Sequence, residues 1–403
     1  YRYRCLGAAR AKAARLGWKG AFYAWESAAT GDEVAPSHGA NASGEEVEIL
    51  SGCEAAHISA DVARAVWRYW RATEDDAFLI AAGAEIIMET ARFWASRAVL
   101  EPDGWRHIRD VEGPDEYHPH VDDNAFTNGM ARWNLARALE VAELFGRRWP
   151  EHWAALSGRI ALNDEELADW QGVADSLATG LDPDSGLYEQ FSGYFQLETI
   201  DLGPYAGRET PMDVILGPER TRRSQVIKQA DVVQLLADLP EHFDRARALA
   251  NFRFYSDRCA HGSSLSHVTH ALAAAQLGES EVAMGHFRQA VAIDLGEDAR
   301  RSQGGLHMAA LGGLWQTAVL GFGGLSAVND ELTFEPRLPR DWTSLSFPIM
   351  WRGRQLGINI THDSFTASLL AGRALRIKLH GATLDLEGGR EARVDLAAGA
   401  TRS

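Results

Sequence analysis

Residues 124–142 have the sequence NAFTNGMARWNLARALEVA, in which apolar side chains recur with the period of an α-helix. Six of them form two stripes with spacings of four and three residues: Phe126, Met130 and Trp133, then Leu135, Leu139 and Ala142. A surface helix has one apolar stripe, so two stripes predict a helix that is buried on more than one side.

The same period recurs through residues 1–325. It is visible near 2–16, 57–73, 76–99, 164–179, 225–238, 242–258, 264–278, 280–293 and 307–321. With the segment above, this pattern predicts about ten helices in a domain that spans residues 1–325. A helical solenoid is the alternative, but we find no fixed repeat of about 34 or 40 residues.

The pattern changes to a period of two after Gly324. Two groups of alternating apolar residues are Leu356, Ile358 and Ile360, then Leu375, Ile377 and Leu379. Alternation is typical of strands with one buried face. We therefore predict a second domain, residues 326–403, that forms a small β-sheet or sandwich.

Charge and composition argue against several classes of protein. The net charge is −16 and no basic stretch offsets it, so nucleic acid is not an expected partner. No run of about 18 apolar residues appears, so no membrane span is expected. Three widely spaced cysteines, Cys5, Cys53 and Cys259, suit neither a disulfide framework nor a metal pair. We therefore expect a reducing, cytoplasmic location.

Acidic residues concentrate in residues 110–128, DVEGPDEYHPHVDDNAFTN. Glu116 follows a Gly-Pro-Asp turn and precedes an aromatic residue, an environment that disfavours the charged carboxylate, so it is a candidate general acid. Asp123 or Asn124 is expected to cap the following helix. An isolated HxH pair at residues 118–120 is a weak metal signal, and we predict no metal site.

Three later segments have residue types that suit sugar or anion binding. Residues 228–231, KQAD, offer an ammonium and an amide to sugar hydroxyls, although a solvated helix turn explains them equally well. Residues 261–266, HGSSLS, offer N–H groups and hydroxyls at a helix start, which suits phosphate or simple capping. Residues 304–315, GGLHMAALGGLW, combine His307 with glycines that permit a close approach of backbone or ligand.

Six stretches, in order, resemble glycoside hydrolase family sixty-five, which includes maltose, trehalose, kojibiose and nigerose phosphorylases. They are YAWESAATG (23–31), GPDEYH (113–118), VDDNAFTNGMARWNL (121–135), KQADV (228–232), HGSSLS (261–266) and LHMAALGGLW (306–315). The resemblance implies an (α/α)6 barrel followed by a β-rich domain. Family members carry a further N-terminal sandwich and an FWDTE-like motif that this sequence lacks, so we expect a barrel that is incomplete at its N-terminus.

The resemblance also implies roles for individual residues. Glu116 matches the general acid, Lys228 and Gln229 match residues that hold the glucosyl unit, and Trp25 and Glu26 lie in a motif beside the same subsite. The phosphate site is matched by Ser263, Ser264 and His307. The family often forms dimers, so a homodimer is one expected state.

These matches predict an inverting disaccharide phosphorylase that converts an α-glucoside and phosphate to β-glucose 1-phosphate and a free sugar. Phosphate is the co-substrate and nucleophile, and no cofactor is expected. An inverting hydrolase would need a second carboxylate as base, and residues 260–267 contain none. A related hydrolase of the trehalase or kojibiose hydrolase type, or an inactive sugar-binding fragment, remain the alternatives.

Overall fold

The computed structural model describes residues 1–40, 46–296, 305–327 and 330–396, so Gly304 of the predicted 304–315 segment lies outside it. The chain forms two units. The first contains Tyr1–Trp70, Asp75–Leu235 and Arg258–Ala260, and the second contains Arg71–Glu74, Leu236–Asp257 and His261–Ser403. The units are defined by which residues contact each other in space, so each contains several separate stretches of sequence. The predicted domain boundary after residue 325 stays a prediction.

Helices dominate the described residues up to Phe322. The α-helices are α1 (Leu6–Arg15), α2 (Ser51–Glu54), α3 (Ile58–Thr73), α4 (Asp76–Phe78), α5 (Ala84–Arg97), α6 (Ala125–Arg148), α7 (Pro150–Arg159), α8 (Asp164–Ser176), α9 (Met212–Leu216), α10 (Pro218–Arg222), α11 (Asp231–Asp238), α12 (Arg245–Ser256), α13 (Ser266–Leu277), α14 (Ser280–Leu295) and α15 (Met308–Gln316). Within the described residues, every helix is too short or too polar to cross a lipid bilayer.

Two of these helices are continued or preceded by π-helical turns. Leu79–Gly83 joins α4 to α5, and Thr317–Phe322 extends α15. Helices predicted near 76–99 and 307–321 are therefore confirmed as continuous helical segments. Among the described residues, 3₁₀ turns lie at Tyr194–Gln196, Gly203–Tyr205 and Pro240–His242.

Helix α6 is buried on several sides, as its two apolar stripes predict. It packs against α5, α7 and α8. Phe126, Met130 and Trp133 are all buried, as is Leu135 from the second stripe. Asn124 caps the helix by accepting the N–H of Thr127 at 2.9 Å, which satisfies one of the N–H groups left free at a helix start.

The helix predicted near 225–238 begins six residues later, at Asp231. The stretch before it is extended, because the main chain of Ile227 pairs with Arg258 and Ala260 at 3.1 and 2.7 Å. Lys228 and Gln229 therefore precede α11 instead of lying in its first turn.

The β-rich region of the second unit contains two four-stranded sheets. Its strands are β5 (Leu325–Ser326), β6 (Leu332–Phe334), β7 (Ser344–Trp351), β8 (Arg354–Thr361), β9 (Ser364–Ala371), β10 (Leu375–Leu379), β11 (Ala382–Leu386) and β12 (Glu391–Asp395). The strand orders are β11-β10-β6-β5 and β12-β9-β8-β7, and β10 runs parallel to β6. Two short hairpins lie earlier, β1 (His38–Ala40) with β2 (Glu46–Glu48), and β3 (Val99–Leu100) with β4 (Arg106–His107).

One apolar core fills the space between the two four-stranded sheets. The ring of Phe334 of β6 packs against that of Phe365 of β9, with 5.1 Å between the centroids and an angle of 53° between the ring planes. Ile358 and Ile377, both predicted from the alternating pattern, belong to the same buried cluster. The prediction of a small β-sheet or sandwich is confirmed for the described residues.

Candidate active site

The candidate acid lies in a loop of residues 110–123 that is closed by main-chain hydrogen bonds. Val111 and Val121 exchange two N–H···O bonds of 2.9 Å. Between residues 111 and 118, Glu116 is exposed while the other residues are buried. Within residues 111–118, Glu116 is therefore the carboxyl that the loop exposes to solvent.

Asp115, the residue before Glu116, anchors this loop from inside. It is 1% exposed. Its carboxylate accepts N–H groups from the main chain of Lys228 (2.7 Å) and Tyr117 (3.3 Å) and from the side chains of His118 (2.6 Å) and Gln190 (3.0 Å). A buried carboxylate is costly unless its oxygens are satisfied, and these four donors satisfy them. These hydrogen bonds hold the main chain at Asp115 in place, and they thereby also fix the position of the next residue, Glu116.

Asp231, the first residue of α11, ties the same loop to two helices. It accepts the N–H of Asp115 at 2.7 Å and the side-chain amide of Asn124 at 2.5 Å. Burial, together with the carboxyl of Asp115, raises the pKa of Asp231 well above its ordinary value. Since Asn124 also caps α6, the loop is held between the starts of α6 and α11.

Glu116 contacts the lysine that was predicted to hold the sugar. The ammonium of Lys228 donates to Oε2 of Glu116 at 2.5 Å, with the two side chains 25% and 41% exposed. Gln229 is also beside the loop, and its amide donates to the carbonyl of Pro114. The structure therefore brings Lys228 and Gln229 to Glu116 and its loop, although both residues lie more than a hundred positions from Glu116 in sequence.

The aromatic neighbour of Glu116 is turned into the protein. The ring of Tyr117 packs with Met212 and Val226, and its hydroxyl donates to Asp213 at 3.0 Å. Burial and this carboxylate raise the pKa of Tyr117 above its ordinary value. The expectation of an apolar ring beside the acid is thus replaced by the contact with Lys228.

Trp25 and Glu26 lie in a loop that is held by a single carboxylate. Glu33 accepts the main-chain N–H groups of Trp25 and Glu26 at 2.8 and 3.0 Å. The buried ammonium of Lys12 donates to the same carboxylate at 2.6 Å. Ion pairing and these N–H donors lower the pKa of Glu33 despite its burial, so the loop is fixed by a charged group.

His57 connects the Trp25 loop to the interior of the first unit. Its ring stands edge-on to the rings of Trp25 and Phe126, at 5.4 and 5.3 Å between centroids. Nδ1 lies 2.8 Å from Asp61, whereas Nε2 is buried and has no hydrogen-bond partner in the described part of the chain. A buried ring nitrogen without a hydrogen-bond partner costs free energy, which makes His57 an unusual feature of this part of the unit.

Glu112 is a second buried polar group that sequence reasoning missed. It is 4% exposed, and among the described residues its Oε2 has no hydrogen-bond partner. Burial chiefly, and then the Glu116 and Glu54 carboxyls, raise the pKa of Glu112 to about 7. Sequence shows only one more acidic residue in an acidic segment, and it gives no sign of burial.

The predicted phosphate serines lie in the second unit, directly before α13. Ser263 accepts the N–H of Leu265 at 3.2 Å through its hydroxyl oxygen, and Ser264 is half-buried beside it. The residue at the helix start is Leu265, which has no capping side chain. The serines therefore do not cap α13 itself, and the simple capping alternative is not what the structure shows.

His307 precedes α15 in the same unit. Both its main-chain N–H and its Nδ1 contact the carboxylate of Asp294, at 2.9 and 2.8 Å. The hydrogen bond with His307 lowers the pKa of Asp294. The ring is thus oriented by a carboxylate, and one nitrogen is left for another partner.

Helices α13 and α15 run side by side in the same direction. A Cβ on Gly313 would lie 2.6 Å from the side chain of Val268, and a Cβ on Gly321 would lie 2.8 Å from that of Ala275. The earlier glycine contacts the earlier residue of α13, and the later glycine contacts the later one. The two helices therefore run in the same direction, and their N-termini lie at the same end. Of the glycines predicted in residues 304–315 to permit a close approach, Gly313 does so, and Gly321 is a further such position.

Two family models match this sequence. The glycosyl hydrolase family 65 central catalytic domain matches residues 1–316, and the glycosyl hydrolase family 65 C-terminal domain matches residues 325–386.

Named relatives cover nearly the whole chain. A kojibiose phosphorylase from Thermoanaerobacter brockii is 38% identical over 96% of this chain and 50% of its own length. A 1,2-alpha-glucosylglycerol phosphorylase from Bacillus selenitireducens is 40% identical over 91% of this chain and 49% of its own length. An alpha,alpha-trehalose phosphorylase from T. brockii is 32% identical over 96% of this chain and 49% of its own length. The chain spans about half the length of these relatives.

The fold also matches a solved structure described as "Putative kojibiose phosphorylase from human microbiome". The TM-score is 0.87 over 100% of this chain and 57% of that one, with 24% sequence identity. With the family models, this likeness confirms the predicted fold class, an (α/α)6 barrel followed by a small β domain.

Proposed function

The chain belongs to glycosyl hydrolase family 65, and on that premise we propose that it is the catalytic part of an inverting α-glucoside phosphorylase. The observation that carries the proposal is Glu116, an exposed carboxyl whose neighbours in residues 111–118 are all buried, and which pairs with Lys228. A rigidly placed carboxyl is what proton transfer to a leaving oxygen requires.

Glu116 is proposed to protonate the glycosidic oxygen. Lys228 now pairs with this carboxylate. A bound glucoside has hydroxyls that compete for the ammonium, so sugar binding would loosen the ion pair and leave the carboxyl free to carry its proton. Gln229, Trp25 and Glu26 are proposed to surround the same glucosyl unit.

Phosphate is proposed to act as the nucleophile, with no cofactor or metal in the reaction. Ser263, Ser264 and His307 are its proposed ligands. Two helix starts at one end of a parallel pair supply N–H groups and a positive potential, both of which favour an anion. Attack on the face opposite the leaving sugar inverts the anomeric carbon and yields β-glucose 1-phosphate.

The substrates first to be tried follow from the relatives. Kojibiose and 1,2-α-glucosylglycerol are preferred over trehalose, because the relatives named for them are 38% and 40% identical, against 32%. We further propose a cytoplasmic enzyme that forms a homodimer and binds neither nucleic acid nor membranes.

The test is to incubate the chain with kojibiose, 1,2-α-glucosylglycerol, trehalose, nigerose and maltose, each with and without phosphate. Free glucose and β-glucose 1-phosphate are measured separately. Release of β-glucose 1-phosphate that depends on phosphate is the expected result, and the best substrate names the linkage. Glucose release that is independent of phosphate would instead establish a hydrolase and reject the proposal.

A further inference from the structure

Four histidines form a cluster in the second unit, beside the predicted phosphate residues but distinct from them. His261 lies in the loop before α13, five residues ahead of the first residue of that helix, while His267 and His270 lie on α13 and His286 lies on α14. The ring of His261 stacks on His267 at 4.4 Å between centroids and meets His270 at 4.7 Å and His286 at 5.0 Å.

Imidazole nitrogens converge inside this cluster. One ring nitrogen from each of His261, His267 and His286 lies within 4.8 Å of the other two. The closest pair is Nδ1 of His267 and Nδ1 of His286, 3.0 Å apart. Two such nitrogens tolerate this distance if one carries a proton or if both face a shared electrophile, since their lone pairs otherwise repel.

His270 supplies an independent observation. It is 0% exposed, and its Nδ1 donates to the carbonyl of Ser266 at 2.9 Å. In the neutral ring Nε2 then carries the lone pair, and in the described part of the chain it has no hydrogen-bond partner. A lone pair buried without a donor costs free energy, and it lies against the rings of His261 and His286.

The rings of His267, His270 and His286 are suited to remain neutral. Burial lowers the pKa of His267, and burial together with neighbouring histidines lowers that of His286 to about 4 and that of His270 to about 3. Among the described residues, the titratable groups that act on the pKa of His270 and His286 are other histidines. Neutral imidazole is the form that coordinates metal ions.

We propose that His261, His267 and His286 form a binding site for a divalent transition-metal ion of the zinc class. With metal–nitrogen bonds of about 2.0–2.1 Å, two tetrahedral ligands are separated by about 3.3 Å, close to the 3.0 Å between Nδ1 of His267 and Nδ1 of His286. The nitrogen of His261 lies within 4.8 Å of both, so ion binding requires a small rotation of its side chain. A set of three nitrogens without carboxylates suits Zn²⁺, Co²⁺, Ni²⁺ or Cu²⁺ and not Mg²⁺ or Ca²⁺.

The site joins α13 to α14 and fixes the first residue of the HGSSLS segment. His261 also contacts the hydroxyl of Ser266 at 2.8 Å, which orients its ring. His267 and His286 are half-buried, so an ion can reach them from solvent. The bound ion would therefore stabilise this helix pair and hold His261 in place, apart from any role in the reaction.

The experiment uses the untagged 403-residue chain after treatment with a chelator. Zn²⁺ binding is measured by equilibrium dialysis, and Co²⁺ binding by its visible absorption, which reports nitrogen ligands in low coordination. We expect one equivalent of Zn²⁺, a Co²⁺ spectrum of tetrahedral type, and a rise in the unfolding midpoint on adding Zn²⁺.

His286→Gln should weaken Zn²⁺ binding by at least about 100-fold, since it removes a direct ligand. His267→Gln gives the same test if the first variant does not fold. His362→Gln changes an exposed histidine of the same unit and should bind as the wild-type chain does. Absence of binding by the wild-type chain, or equal binding by wild type and His286→Gln, would overturn the proposal.

Discussion

Asp115 determines where Glu116 can be. Each of its carboxylate oxygens accepts two hydrogen bonds, and they come from parts of the chain as distant as Gln190 and Lys228. Hydrogen bonds to a charged group are worth more than neutral ones, and the loss of a buried one is costly. The carboxyl of Glu116, the proposed acid, is therefore exposed, while the residue that positions it is buried inside the protein.

Replacing Glu116 with Gln should remove proton donation while leaving the fold intact, because the side chain is exposed and pairs with Lys228 at the surface. We expect kcat on a disaccharide to fall by about 10²–10⁴-fold. α-Glucosyl fluoride, whose leaving group needs little protonation, should be affected much less. The measurement is the rate of β-glucose 1-phosphate formation from both substrates.

Glu143→Gln is the matched control, since Glu143 is an exposed acid on α6 of the same unit. It should retain wild-type rates on both substrates. Equal losses on the disaccharide and the fluoride in Glu116→Gln would show a binding role for Glu116 and would contradict its assignment as the acid.

Glu112 predicts a dependence of stability on pH. Its pKa is about 7 in the folded chain against 4.5 as the ordinary value, so folding favours the protonated form. This contribution is complete below pH 4.5 and is lost as the pH rises through 7. Relative to Glu112→Gln, the wild-type chain should lose up to about 3 kcal/mol of unfolding free energy between pH 4.5 and 8.

The measurement for Glu112 is urea denaturation of the wild-type chain and the Gln variant across this pH range. Glu143→Gln serves again as the control and should follow the wild-type curve. Parallel curves for wild type and Glu112→Gln would mean that the carboxyl is not held protonated by its surroundings.

At the scale of elements, the spacing of α13 and α15 depends on glycine. The two helices approach so closely at Gly313 that an added Cβ would meet both the Cβ and a methyl group of Val268, at 2.7 and 2.6 Å. Gly312, the preceding residue, has no atom within 4 Å of the same position. An added methyl group would therefore clash at Gly313 and would meet open space at Gly312, although the two glycines are adjacent.

Gly313→Ala should destabilise the second unit by about 1–3 kcal/mol, because the methyl group forces the helices apart. Gly312→Ala should stabilise it by about 0.5–1 kcal/mol, since alanine is the better helix former and the space is open. Thermal unfolding of both variants checks this. A gain in stability from Gly313→Ala would show that the helices do not pack as closely as described.

At the scale of the whole molecule, the net charge of −16 opposes the approach of an anion such as the proposed phosphate co-substrate. The proposed disaccharide substrate is neutral, so the net charge does not oppose its approach. Salt screens this repulsion over a distance of about 10 Å at 0.1 M ionic strength.

Raising the ionic strength should therefore lower the KM for phosphate several-fold while leaving the KM for the disaccharide unchanged. Initial rates at about 0.02 M and about 0.3 M sodium chloride test this. The neutral substrate is the internal control. A rise in the KM for phosphate with salt would mean that local positive groups outweigh the overall charge.

Local patterns account for the parts of the fold that were predicted. The apolar stripes of α6 and the alternation of β8 are periods in the sequence itself. They predict a helix and a strand without any information on which residues lie nearby in space. The start of α11 was predicted too early, because the pairing of Ile227 with residues near Arg258 draws the chain into an extended form. A contact between distant residues here overrides the helical pattern.

By itself, the sequence determined the helical and β-rich regions and the family, because periodicity and short motifs are properties of consecutive residues. The tertiary structure alone decided which polar groups are buried together. Asp115 and the main chain of Lys228 meet across 113 positions, and His267 meets His286 across 19. Burial and charge depend on such neighbours in space, so the raised pKa of Glu112 and the convergence of the histidines appear only in the folded chain.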